Sequence, residues 1–127
     1  MLLLILFVLF YIVLENRNTK VTTEELVNSY SIDRQSADNQ YLIKDIELTG
    51  KFKSLLQPAH GDNFIRIETL NDTLKIYCIV DNADLLEQTS SITTGTEVTI
   101  LGKCLGLKED IFDPSFNSIY IETKSIK

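Results

Sequence analysis

The sequence predicts a mainly β fold: a closed barrel of five short strands with a short helix between strands 3 and 4, preceded by an N-terminal helical segment and a membrane helix. Three observations predict it. From Asp45 onward apolar residues recur at every second position in several short runs, the period of half-buried strands. One helical stretch, Ala83–Ser90, interrupts those runs after the third. Residues 1–14 contain no charged side chain, so every charge of the chain lies in positions 15–127.

Residues 1–14, MLLLILFVLFYIVL, form an apolar run with Tyr11 as its polar handle. As a helix the run spans about 21 Å, against roughly 30 Å for a hydrocarbon core. Its length suits an export signal, but no Lys or Arg precedes it and no small-residue cleavage site follows it. A helix apolar on all sides also needs lipid or a large core, which so small a domain lacks. Residues 1–14 are therefore expected to be an uncleaved signal-anchor, residues 15–21 a linker, and residues 22–127 the folded domain. The domain is expected outside the cytoplasm, in the periplasm or at the cell surface.

Thr22 followed by Glu25 fits a capping box, and Glu24 and Glu25 suit the positive end of a helix dipole. Leu26, Val27 and Tyr30 continue at helical spacing, and a second short helix is expected near Asp33–Gln40. The first strand alternates Ile46, Leu48, Gly50 and Phe52 with Glu47, Thr49, Lys51 and Lys53. After a loop at Gln57–Asn63 a second strand, Phe64–Thr69, carries Ile65 and Ile67 on one face. Asn71-Asp72 turns into a third strand, Leu74–Val80, and the fourth and fifth are expected at Val98–Cys104 and Ser118–Thr123. Five strands with a helix between the third and fourth is the arrangement of an OB-fold, and Gly50 and Gly102 suit the bends of a small coiled barrel.

Glu25-Leu26, Tyr30, Ala37, Tyr41 and Lys44 leading into Ile46-Glu47-Leu48-Thr49-Gly50, and later Gly95, Val98-Thr99-Ile100, Gly102, Cys104 and Gly106, resemble the tRNA_anti-like family of bacterial OB-fold domains. The resemblance covers residues 22–127. It departs at Ile43, where the family usually has glycine, and in the acidic loop before the last strand. It implies the fold and a membrane segment ahead of it, and no particular activity.

The chain has 127 residues, 44% of them hydrophobic and 24% charged, with a net charge of −6. That acidity disfavours a general nucleic-acid binder, which needs a basic face. No enzyme is expected: His60 is the single histidine, and no phosphate loop or zinc-ligand cluster is present. Asp81, Asp84 and Glu87 lack the spacing of a calcium loop, so neither metal nor cofactor is expected. Cys78 and Cys104 fall on the apolar faces of their strands and could pair in an exported domain or stay as buried thiols.

OB-folds take ligands on the outer face of strands 1–3, between the loops joining strands 1–2 and 4–5. Here that face would present Lys51, Lys53, Phe64, Arg66, Lys75 and Tyr77, cations interleaved with rings, as a single-stranded nucleic acid requires. Glu47 and Glu68 interrupt the patch. The flanking loop Leu107–Asn117 offers Ile111, Phe112 and Phe116 among Glu109, Asp110 and Asp113, which suits a protein or peptide partner better than a polyanion. The leading expectation is a non-enzymatic, membrane-anchored binding module of the cell envelope for a protein, peptide or glycan. A single-stranded nucleic-acid binder is the alternative.

Overall fold

The computed structural model describes residue 5, residues 18–70 and residues 74–127. The signal-anchor reading of residues 1–14 lies outside the described residues except for Ile5, and so does the Asn71-Asp72 turn. Among the described residues no helix is long and apolar enough to cross a membrane.

The chain runs β1 (Thr19–Thr22), α1 (Thr23–Ile32), α2 (Arg34–Tyr41), β2 (Asp45–Leu56), β3 (Asn63–Ile67), β4 (Ile76–Val80), α3 (Ala83–Ser90), β5 (Glu97–Glu109) and β6 (Asn117–Ile126). Strands β2 to β6 pair in the order β2-β3-β4-β6-β5, and β5 returns to β2 to close the barrel. A path across paired residues from Asp45 through Lys103, Glu122, Ile79 and Phe64 regains β2 at Leu56, 11 residues further along. So large an offset requires steeply tilted strands, which is how five strands enclose a filled interior.

The predicted alternation holds through the barrel. Ile46, Leu48, Phe52, Ile65, Ile67, Ile76, Cys78, Ile100 and Ile121 all point inward and are buried, each large side chain contributing about 1.5–3 kcal/mol of burial. Gly102 pairs with Ile46 on one side and Thr123 on the other, and a Cβ there would clash with the Glu122 carbonyl oxygen. Gly50 likewise leaves room for Thr23, so that α1 starts directly against β2.

Each helix carries a side-chain cap at its N-terminus, the Thr22 cap being the one the sequence suggested. The Thr22 hydroxyl accepts from the Glu25 amide at 3.2 Å, the Asp33 carboxylate caps α2, and the Asn82 side chain accepts from the Leu85 amide at 2.9 Å. Leu26, Val27 and Tyr30 of α1, Ala37 and Tyr41 of α2, and Leu85 of α3 face the core.

Two features differ from the expectation, and of the two states open to the cysteines the structure holds the buried thiols. Residues 19–21, read as linker, belong to β1, which runs parallel to β2 with Thr19 opposite Ile46 and Thr22 opposite Thr49. Strand β5 continues to Glu109, past Cys104, because Gly106 takes a positive φ of 76° beside a break in the register with β6. Cys78 and Cys104 are free and buried. Both are register partners of Ile121, one on each side of β6. Two strand spacings put their Cα atoms about 9–10 Å apart, beyond the roughly 4.4–6.8 Å a disulfide spans.

Candidate functional site

Alternation that sends Ile65, Cys78 and Ile121 inward sends Phe64, Tyr77 and Tyr120 outward, and these rings meet on the outer surface of β3, β4 and β6. Tyr77 is the register partner of Arg66 on one side and Tyr120 on the other. Ring centroids lie 6.0 Å apart for Phe64 and Tyr77, 6.2 Å for Phe64 and Tyr120, and 5.6 Å for Tyr77 and Tyr120. The contacts of Phe64 are edge-to-face, a favoured geometry for rings.

These rings do not face solvent, contrary to the expectation of an exposed stacking surface. Phe64 is 4% exposed and Tyr77 2%. The cover is the loop from Asp110 to Phe116. Phe112 places its ring 5.9 Å from Phe64 and 5.5 Å from Tyr77 and is itself 45% exposed.

Asp110 builds that cover. Its Oδ1 accepts from the amides of Phe112 at 2.8 Å and Asp113 at 3.0 Å, a local turn of the chain on itself. Its Oδ2 accepts from the hydroxyls of Ser118 at 2.7 Å and Tyr77 at 3.1 Å, which ties the turn to the sheet. The sequence suggested a solvent-facing carboxylate here, but Asp110 is 1% exposed. Burial is the largest single influence on its carboxyl and acts to raise its pKa; the four hydrogen bonds, that of Ser118 foremost, outweigh it and leave the pKa lowered. Burial, with the adjacent Asp110 charge, raises the Tyr77 hydroxyl far above its ordinary value, and Arg66 opposes this. Tyr120 completes the tie. Its hydroxyl accepts from the Ile111 amide at 2.9 Å and donates to the Glu109 carbonyl at 3.1 Å.

The structure thus brings together Phe64, Tyr77 and Phe112, with half-buried Arg66 in the row beside Tyr77. Phe116 is 42% exposed and closes the loop base, its carbonyl accepting from the Asp110 amide at 2.9 Å. Half-buried Lys75 precedes β4, and its carbonyl accepts from the Ile119 amide. Lys51 and Lys53 stand apart from the rings. Lys51 lines a cleft of about 350 Å³ with Thr22, Thr23, Glu24, Glu68 and Glu97, and Lys53 is exposed where β2 bulges opposite β3. Among the described residues the ion pairs join Arg34 to Asp38 and Lys124 to Asp45, so the cations of the ring face enter none. Sequence reasoning missed Asp110, Ser118 and Tyr120 as the groups that fix the site. An aspartate followed at two and three positions by amides it caps is a known turn pattern, but its closure onto Ser118 and Tyr77 is long-range.

A barrel of a candidate aspartyl-tRNA synthetase from Leishmania major Friedlin superposes on this one with a TM-score of 0.57 at 13% identity, covering 87% of this chain and 20% of that one. The chain therefore spans about a fifth of the synthetase's length. A candidate nucleic acid-binding lipoprotein from Klebsiella pneumoniae superposes with a TM-score of 0.58 at 10% identity, covering 87% of this chain and 90% of that one. At such identities the likeness is one of fold. No curated protein gives a significant match. A sequence profile of the tRNA_anti-like family matches residues 3–112. That span includes the helices, β2 to β5 and the start of the covering loop, and the chain belongs to the tRNA_anti-like family.

Proposed function

We propose that the chain is a non-enzymatic binding module of the cell envelope, held at a membrane by residues 1–14 with its barrel outside the cytoplasm, and that its ligand is a protein or peptide. One observation carries the ligand class. The aromatic face is already filled by Phe112, so what the loop offers a partner is Ile111, Phe112 and Phe116, all exposed, beside Glu109 and Asp113. Apolar anchors within a carboxylate rim suit a polypeptide and repel a polyanion. A glycan fits less well, because the sheet rings are closed over and only the exposed sides of Phe112 and Phe116 are left for a sugar to stack on.

The test places a photo-crosslinking residue at Ser115 in the full chain, in its native membrane. A discrete adduct that disappears in Phe112→Ala and Phe116→Ala chains is expected. Adducts indifferent to both substitutions would remove the loop from the interface. A reporter active only outside the cytoplasm, fused at Lys127, checks the location, and a silent but expressed fusion overturns it.

Arg66 supports a second reading, a single-stranded nucleic-acid binder, because it enters no ion pair among the described residues and sits beside the rings. The barrel also shares its fold with a protein described as a candidate nucleic acid-binding lipoprotein. This reading predicts oligonucleotide binding that weakens steeply with salt and is lost in Arg66→Ala. Absence of binding at low salt disposes of it.

A further inference from the structure

Three apolar side chains on the segments that flank one end of the barrel are left exposed among the described residues. Ile32 is 76% exposed, Ile43 61% and Leu42 36%. Leu42 and Ile43 flank the Cys104–Leu107 stretch of β5, and Ile32 ends the helix whose continuation reaches it. The Ile43 amide donates to the Cys104 carbonyl at 2.8 Å, and a Leu42 methyl carbon lies 2.9 Å from where a Cβ on Gly106 would stand. Arg34, two residues after Ile32, donates to the Leu107 carbonyl at 3.1 Å.

Ile43 is also strained. Its φ is +63°, the left-handed region that disfavours a side chain branched at Cβ. In that region the branched side chain crowds its own backbone, so the conformation is unfavourable relative to a relaxed one. Burial does not offset that, since the side chain points into solvent. The fold alone gives no reason for an isoleucine here.

The chain reaches the barrel at this same end. Thr19 pairs with Ile46, and Ile46 pairs with Gly102, two residues from Cys104. Residues 15–18 separate the apolar run from β1. Fully extended, four residues reach about 14 Å. A barrel on so short a tether stands with this end against the headgroups. Around these residues Arg34 pairs with Asp38 and Lys124 with Asp45, and the exposed Asp33 carboxylate is held by the α2 amides and Ser36. The Lys44 ammonium stays exposed on the Asn39 carbonyl, so a zwitterionic headgroup layer suits this end better than an anionic one.

We propose that Ile32, Leu42 and Ile43 form a seat on the lipid surface to which residues 1–14 tether the chain. This rests on the anchoring part of the proposed function and leaves the partner loop out. Apolar side chains on such a seat enter the boundary between headgroups and acyl chains, to a depth of about 5–10 Å.

The chain has no tryptophan, so single-tryptophan reporters are unambiguous. Full-length Ile32→Trp, Leu42→Trp and Ile43→Trp chains are reconstituted into phosphatidylcholine vesicles with acyl chains brominated near the headgroup. The control is Leu70→Trp, at a residue 85% exposed beside the cleft where α1 begins. Emission of the three seat variants is expected to fall about twofold on bromination, and that of the control to stay unchanged. Should Ile43→Trp fail to fold, the other two decide. Quenching that is equal in seat and control variants, or absent from the seat, overturns the seat while leaving the anchor standing. A blue shift that grows with protein density and ignores bromine assigns the surface to a second copy, which also overturns it. Chains that do not float with vesicles overturn the anchor and the seat together.

Discussion

Replacing Asp110 separates two kinds of hydrogen-bond donor within one carboxylate. Its Oδ1 serves two backbone amides, which can only donate; its Oδ2 serves two hydroxyls, which can turn and accept. In Asp110→Asn the side-chain oxygen can keep the amides of Phe112 and Asp113 while the NH2 donates to the Ser118 and Tyr77 hydroxyls. The loss is the charge assistance, about 1 kcal/mol. Asp110→Ala leaves all four donors without a partner. Water reaches the amides at the loop surface, but Ser118 is 0% and Tyr77 2% exposed. Two stranded buried hydroxyls at roughly 1–2 kcal/mol each give a cost of about 3 kcal/mol. Urea denaturation followed by circular dichroism measures both variants. Equal losses, or a loss under about 1 kcal/mol for alanine, would refute the network as the force holding the loop.

Other outcomes follow from the same structure. The Asp110 carboxyl has a lowered pKa in the fold, so its contribution is fully present above the ordinary carboxylate range and is lost as pH falls through the lowered value. Acid titration of stability should therefore steepen below about pH 4, and Asp110→Asn should flatten that slope. Ile43→Gly should raise stability by about 1 kcal/mol by relieving the left-handed strain, net of glycine's entropy; a loss would mean the side chain packs in the fold. Gly102→Ala should cost more than about 2 kcal/mol, because its methyl group meets backbone rather than a movable side chain; an unchanged urea midpoint would refute the close approach of β5 to β6. Cys78 and Cys104 should resist alkylation in the folded chain, burial having raised both thiols. Labelling at the rate of free cysteine would contradict their place in the core.

How far the sequence could be read depended on whether a feature was local. Helix α3 was legible residue for residue because Asn82 caps it and Leu85 faces inward, both short-range properties. The barrel strands were legible because alternation runs over five or more residues. Strand β1 was not, since Thr19–Thr22 holds one buried apolar side chain, Val21, and owes its conformation to β2. For Phe64 and Tyr77, alternation named the face correctly. It carried no information about what lies on that face, and Phe112 arrives from 35 residues beyond Tyr77. The burial of Asp110 was hidden for the same reason.

Strand β1 has a mechanical consequence. It lies parallel to β2, and its first residue is the point where any pull from the N-terminal side reaches the barrel. Tension along the strand axis loads the β1–β2 hydrogen bonds together, in shear, because those bonds run across the strand rather than along it. They cannot be unzipped one at a time from that direction. Load then passes into β2, which is bonded to β5 through Asp45–Lys51 and to β3 beyond Phe52. The barrel thus resists force as one closed body, with its most exposed strand acting as the strap.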